Sequence, residues 1–181
     1  MRRPLRRHPD TPCPAVSRIE VGAERAVDGR LVLRFVVAGE TGALRIPAAT
    51  APARADALWR HTCFEAFVRK PAEASYYEFN LAPSRQWAAY RFDDYRQGMR
   101  LASGFGAPSI EVQAEPGCFT LLATLEMATL PGVPRDEPWQ LGLSAVIEEM
   151  SGRTSYWALA HPPGRPDFHH GDCFAIALAA A

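Results

Sequence analysis

Hydrophobic and polar positions alternate with a period of two along most of the chain. That spacing turns one face of a strand to a core and the other away from it. Residues 19–21 and 31–37 read as strands joined across the turn signal Asp28-Gly29. A short strand is predicted at 43–46. The alanine-rich stretch 47–60, with Pro47 and Pro52, reads as a loop with at most one helical turn. A strand follows at 62–68, then a hairpin from 76–82 and 87–92. After the irregular segment 93–108, strands are predicted at 110–113, 119–126, 140–148, 155–160 and 173–178. No stretch carries a long apolar stripe of period 3.6. Many short strands separated by Gly and Pro predict an all-β chain: one antiparallel β-sandwich over 16–181, jelly-roll or immunoglobulin-like, with long loops.

Parity along the strands divides their side chains between two faces. With a hairpin loop over 83–86, Tyr77, Phe79 and Leu81 face Phe92, Tyr90 and Ala88, and all six belong to the core. Glu78, Asn80, Trp87 and Arg91 then share the other face, with Glu78 opposite Arg91. In the preceding strand Phe64, Ala66 and Val68 point inward, while Cys63, Glu65 and Phe67 point away. Trp59 and His61 share the parity of Glu65. In 140–148, Leu141, Leu143, Ala145 and Ile147 point inward, and Ser144 and Glu148 outward. The second face thus gathers Trp59, Glu65, Glu78, Asn80, Trp87 and Arg91. Aromatic rings beside hydrogen-bonding groups make a candidate ligand surface.

Composition narrows the function classes. Twenty basic and twenty acidic residues cancel in a chain of 181, whereas a nucleic-acid binder would carry a basic excess. Cys13, Cys63, Cys118 and Cys173 are far apart and form no CxxC pair, so four free thiols in a reducing compartment are expected. Residues 1–15 carry Arg2, Arg3, Arg6 and Arg7 but are broken by Pro4, Pro9, Pro12 and Pro14. They read as an unstructured basic tail without the apolar segment of a secretory signal. No run of about 20 apolar residues is present. A cytoplasmic location with no membrane partner is expected.

Three other chemistries have candidates. His161, Asp167, His169 and His170 fall in one proline-rich segment, and imidazoles with a carboxylate could hold a divalent metal. Noncovalent haem could draw on His61 or His161 with Met99, Met127 or Met150. Glu65 and Glu78 could act as the paired carboxylates of a hydrolase, although a facing Arg91 would lower the pKa that a general acid needs. No nucleophile-elbow, zincin, phosphate-loop or dinucleotide motif occurs. The expectation is therefore no cofactor and no catalysis.

The segments Leu58-Trp59-Arg60-His61-Thr62-Cys63-Phe64-Glu65-Ala66-Phe67-Val68, Tyr76-Tyr77-Glu78-Phe79-Asn80-Leu81-Ala82-Pro83-Ser84, Trp87-Ala88-Ala89-Tyr90 and Ser155-Tyr156-Trp157-Ala158-Leu159-Ala160-His161-Pro162, with Pro166-Asp167-Phe168-His169, resemble the bacterial DOMON-like ligand-binding domains. These are similar in turn to family 9 carbohydrate-binding modules. The resemblance spans about residues 19–178. It implies a β-sandwich that binds sugar or haem without catalysis of its own, here a small polar, sugar-like ligand. In the sugar-binding modules a Trp precedes a strand that carries a Glu six residues later, as Trp59 and Glu65 do here. Glu78 and Asn80 match the polar alternation of the next strand. The modules close the sugar with a second Trp, for which Trp157 is the nearest candidate. Arg60 and His61 stand where acidic residues usually follow the first Trp.

Overall fold

The computed structural model describes residues 2–180. Its strands are β1 (Arg2–Arg7), β2 (Val16–Arg25), β3 (Arg30–Gly39), β4 (Ala53–Arg54), β5 (Cys63–Arg69), β6 (Tyr76–Leu81), β7 (Gln86–Phe92), β8 (Arg100–Leu101), β9 (Ser109–Glu115), β10 (Cys118–Glu126), β11 (Trp139–Glu148), β12 (Thr154–Ala158) and β13 (Ile176–Leu178). Short 3-10 turns interrupt them, and no α-helix occurs among the described residues. No helix among them is long and apolar enough to cross a membrane. All four cysteines are free.

The strands form one continuous sheet rather than two separate ones. Their order is β4-β7-β6-β5-β11-β12-β1-β2-β3-β10-β9, with β13 beside β11 and β8 beside β7. The sheet curls strongly into a half-barrel. Neighbours are antiparallel except for the short β4–β7 pair. The expected pair of independent sheets is corrected by β1. Arg2 to Leu5 pair with β2, while Arg6 and Arg7 pair with β12, so one strand joins both arms. The expected unstructured tail is corrected by the same observation. Leu5 and His8 are buried, and the backbone of β1 is hydrogen-bonded on both sides. Arginine and proline content hides such a strand, because its pairing uses backbone groups rather than a row of apolar side chains.

The core lies inside the curl. From one arm β2 and β3 contribute alternate residues, Ile19, Val21, Leu31, Leu33, Phe35 and Val37. From the other arm β5 and β11 contribute Phe64, Ala66, Val68, Leu141 and Leu143. The Phe64 ring lies 4.9 Å from that of Phe35 and 6.1 Å from that of Phe119. Each fully buried ring of this kind stabilises the fold by roughly 1.5–3 kcal/mol. A second cluster covers the opposite face of β5, β6, β7 and β11. It contains Phe67, Tyr76, Tyr90, Phe92, Val146, Phe168 and Phe174.

That second cluster corrects the hairpin register. Leu81 pairs with Trp87, Phe79 with Ala89, Glu78 with Tyr90, and Tyr77 with Arg91. The whole of β7 is therefore displaced by one residue from the expected pairing. Tyr90 and Phe92 leave the core face, and Trp87 and Arg91 move onto it. The cause is the loop. Arg85 N–H donates to Ala82 O at 3.0 Å, and Ala82 N–H donates to Gln86 O at 2.9 Å. This closure places Arg85 at φ 70°, in the left-handed region. A turn followed by such a residue normally advertises itself with glycine. With arginine there, the sequence carries no marker of the register.

Truncating Phe64 to alanine removes the ring that joins both arms of the sheet. The expected loss is about 3–5 kcal/mol of unfolding free energy, measured by urea denaturation. A loss below about 1 kcal/mol would show that the inner face is not the stabilising core.

Candidate functional site

Strands β5, β6 and β11 place polar groups on the second, covered face. Glu65 in β5 and Glu78 in β6 both line a cavity of about 350 Å³. Glu65 pairs in register with Asn80, and Glu78 with Phe67, so the two glutamates are diagonal neighbours on adjacent strands. Glu65 is 3% exposed and Glu78 6%. Ser144 Oγ donates to Glu65 Oε2 at 3.2 Å. Asn80 Nδ2 donates to Glu78 Oε1 at 2.7 Å, and Asn80 Oδ1 accepts from Cys63 Sγ at 3.6 Å. Asn80 is fully buried and acts through Glu78 rather than touching the cavity.

The walls come from loops and from the neighbouring strands β7, β11 and β12. Trp59 sits in the turn Leu58–Arg60, entered through Ala57 at φ 58°. Its ring is 37% exposed at the cavity mouth and meets Tyr90 edge-on at 6.1 Å. Tyr90 OH donates to Asp56 Oδ1 at 2.6 Å, which holds that ring behind Trp59. Phe92, Val146, Tyr156 and Phe168 supply further apolar wall, and Met99 lies at the opening. Arg96 and His169 complete the polar side. Arg96 Nη2 donates to Asp167 Oδ1 at 2.8 Å. Tyr95 OH donates to the other oxygen of Asp167. These bonds tie the loop after β7 to the loop after β12.

Burial sets the protonation of this face. The Glu65 carboxyl is pushed up, to about 8, by burial and by the charge of Glu78; the Ser144 hydrogen bond and Arg96 oppose the shift. Burial also raises Glu78, against the Asn80 bond and Arg96. His169 is lowered to about 4 by burial and by Arg96, so its ring is neutral at neutral pH. Tyr76, raised to about 12 by burial, keeps its proton. Its hydroxyl lies 2.7 Å from His169 Nδ1 and accepts the Arg96 N–H at 3.2 Å. With the Tyr76 hydroxyl donating to Nδ1, the ring proton sits on Nε2, which faces Glu78 Oε2 at 3.6 Å. That separation is too long for a hydrogen bond, so Nε2–H remains a donor for a ligand.

Of the residues expected at the site, Trp59, Glu65 and Glu78 converge, with Asn80 behind them. Trp87, Arg91 and Trp157 do not. Trp87 belongs to the inner core, 5.6 Å from Phe105, with the Arg54 guanidinium 4.5 Å over its ring. Arg91 Nη1 donates to Tyr77 OH at 2.9 Å and Pro131 O at 3.0 Å, and makes no pair with Glu78. Trp157 points inward, its Nε1 donating to Ser155 Oγ at 3.0 Å; its neighbour Tyr156 lines the cavity instead.

The expected metal set is dispersed. His161 Nε2 lies 2.8 Å from Arg6 O, Asp167 is held by Tyr95 and Arg96, and the His170 ring accepts from Asp172 N at 3.3 Å. Only His169 reaches the cavity. Among the described residues no three of His, Cys, Asp or Glu converge as metal ligands. The imidazole offered for haem is likewise elsewhere, since His61 Nδ1 lies 2.8 Å from Glu148 Oε2. Parity could have found Val146, which faces the same way as Ser144. Arg96 and Met99 lie in the aperiodic segment, where no pattern marks them.

The Glu65 shift has a definite sign. Its folded pKa lies above its unfolded value of 4.5, so the folded chain binds more protons and loses stability as pH rises from about 4.5 to about 8. His169 acts oppositely lower down, losing stability as pH falls from 6.5 towards about 4. Urea unfolding of Glu65→Gln at pH 5, 6.5 and 8 should therefore show a stability gain over the wild type that grows with pH. A gain that shrinks with pH would contradict the buried acid.

No protein-family model matches this chain, and no curated protein sequence matches it. Solved structures do. A candidate carbohydrate-binding protein from Bacteroides uniformis aligns with 99% of this chain and 85% of its own, at TM-score 0.67 and 15% identity. A family 9 carbohydrate-binding module from Caldicellulosiruptor kristjanssonii aligns in two complexes, both at TM-score 0.46 and 11% identity. The glucose complex covers 86% of this chain and 76% of its own; the cellotriose complex covers 88% and 75%. The chain therefore shares the fold of the Bacteroides uniformis protein.

Proposed function

We propose that this chain is a non-catalytic saccharide-binding domain, akin to the DOMON-like domains, and that its site is the cavity above Glu65 and Glu78. One observation carries the reading. An aromatic ring at the mouth, Trp59, stands over a pocket whose base holds two buried carboxyl groups and a neutral imidazole. A pyranose has an apolar C–H face and a rim of hydroxyls. The first suits a flat indole, and the second suits groups that both donate and accept. A carboxyl that keeps its proton offers both. The fold shared with the Bacteroides uniformis protein supports the reading, because that protein is itself a candidate carbohydrate binder.

The hydrolase alternative retains one point. With Arg91 on the other face, no arginine stands opposite Glu78, and at Glu65 burial outweighs the Ser144 and Arg96 contacts that oppose the proton a general acid needs. Release of nitrophenol from aryl glycosides by the wild-type chain would overturn the non-catalytic reading.

The direct test is titration calorimetry against glucose, other monosaccharides and short glucans. Glu65→Ala should weaken binding by about 0.5–1.5 kcal/mol, roughly 2- to 12-fold, as for a neutral hydrogen bond lost. Trp59→Ala should weaken it as well. Trp87→Phe, on the core face, should leave affinity unchanged. Equal binding by wild type, Trp59→Ala and Glu65→Ala would place the site elsewhere.

A further inference from the structure

The two glutamates at the base of the cavity are buried with no arginine or lysine in salt-bridge contact, and Arg96 acts on them only from a distance. Arg96 is the cation that lines this space, and its guanidinium is engaged by Asp167 at 2.8 Å. The His169 ring is neutral at neutral pH, and its Nε2 lies 3.6 Å from Glu78. The ionisable side chains around the cavity and the glutamates are thus Cys63 and Glu65 from β5, Tyr76 and Glu78 from β6, Tyr90 from β7, Tyr156 from β12, and Arg96, Asp167 and His169 from the covering loops. Three carry carboxyl groups and one is a permanent cation, already paired. Each glutamate also has one oxygen fixed by a neighbour, Oε2 of Glu65 by Ser144 and Oε1 of Glu78 by Asn80. The second oxygen of each is left for whatever enters.

We infer that the ligand is a saccharide bearing a primary ammonium group, an amino sugar, with the ammonium seated between Glu65 and Glu78 and the ring against Trp59. This rests on the saccharide reading above and goes beyond it by fixing the ligand's charge. An ammonium has three donors and no acceptor, which matches two free carboxylate oxygens better than a hydroxyl does. Hydrogen bonds between charged groups are roughly twice as strong as neutral ones. The surrounding rings add favourable cation–π contact in a partly desolvated space. The arrangement also couples binding to a proton. At neutral pH the glutamate pair holds a proton because it is buried and, second, because its members repel each other. A cation bound between them favours the ionised form against both causes, so the proton leaves to solvent as the ammonium enters.

Glucosamine, N-acetylglucosamine and glucose are titrated by calorimetry at neutral pH, each in two buffers of different ionisation enthalpy. Glucosamine should bind about tenfold tighter than glucose, as a charge-assisted contact gives. Its heat should shift between buffers by the ionisation enthalpy of the proton released. N-acetylglucosamine, which lacks the charge, should bind no tighter than glucose. Glu65→Gln keeps the shape and the Ser144 contact, so it should abolish the preference for glucosamine and the buffer dependence together. Glucose or N-acetylglucosamine binding as tightly as glucosamine would overturn this inference while leaving the saccharide reading intact. Benzylammonium binding where none of the three sugars binds would overturn the saccharide reading and keep the cation site. Failure of all four ligands would overturn both.

Discussion

Strands β5, β6 and β11 are buried on both faces, and the remainder of the molecule follows from that constraint. On the inner face the curl presses them against β2, β3 and β10. On the outer face no second sheet is present, so loops must exclude water there. They do so with Phe174, which packs on Phe67 and Tyr76, and with Phe168, which packs on Tyr156, in a cluster separate from the inner core. A strand covered on one side alternates apolar and polar residues. A strand covered on both sides would ordinarily be apolar throughout. Here Glu65, Glu78, Asn80 and Ser144 interrupt that rule, and the cavity forms where they do.

Burying carboxyl groups is costly unless they are hydrogen-bonded or protonated. Both remedies are in place, since Ser144 and Asn80 each satisfy one oxygen and the pair retains a proton at neutral pH. Polar contacts hold the cover as well as apolar ones. Asp167 collects Tyr95, Arg96 and the backbone N–H of His169, and thereby fixes the loops after β7 and β12 against each other. The groups that define the walls are thus positioned by neighbours that never touch the contents. A geometry built this way gains its specificity from preorganisation, because little is left to be ordered when a ligand arrives.

Most strands were legible because burial on one face imposes a period of two. The inward set of β5 and the inward set of β11 match that period residue for residue. Glu65 and Glu78 were legible for the same reason, as residues whose parity conflicts with the core, whereas Trp59 reaches the site from a turn before β5 to which strand parity does not apply. Failures occurred where backbone geometry, not side-chain pattern, decides the outcome. Arg85 occupies a left-handed position that glycine would have flagged, so β7 shifted by one residue and carried Trp87 and Arg91 to the wrong face. Trp157 was a candidate through the resemblance alone, and it lies in the inner core while its neighbour Tyr156 lines the cavity. β1 was read as a tail because its contribution is backbone pairing, which composition does not record. Arg96 and Met99 come from a segment with no period at all.

The position of β1 has a consequence for how the protein is made. This strand is translated well before one of its partners, since Arg6 and Arg7 pair with Ala158 and Trp157, about 150 residues further along the chain. At about 5–20 residues per second, the gap is on the order of ten seconds or more. During that time β1 can pair with β2 along Arg2 to Leu5 while its far end has no partner. The nascent chain therefore carries a half-paired strand edge, a surface on which other chains can add. The arginines flanking Leu5 in β1 put positive charge along that edge, a feature that discourages such pairing until β12 emerges to close the sheet.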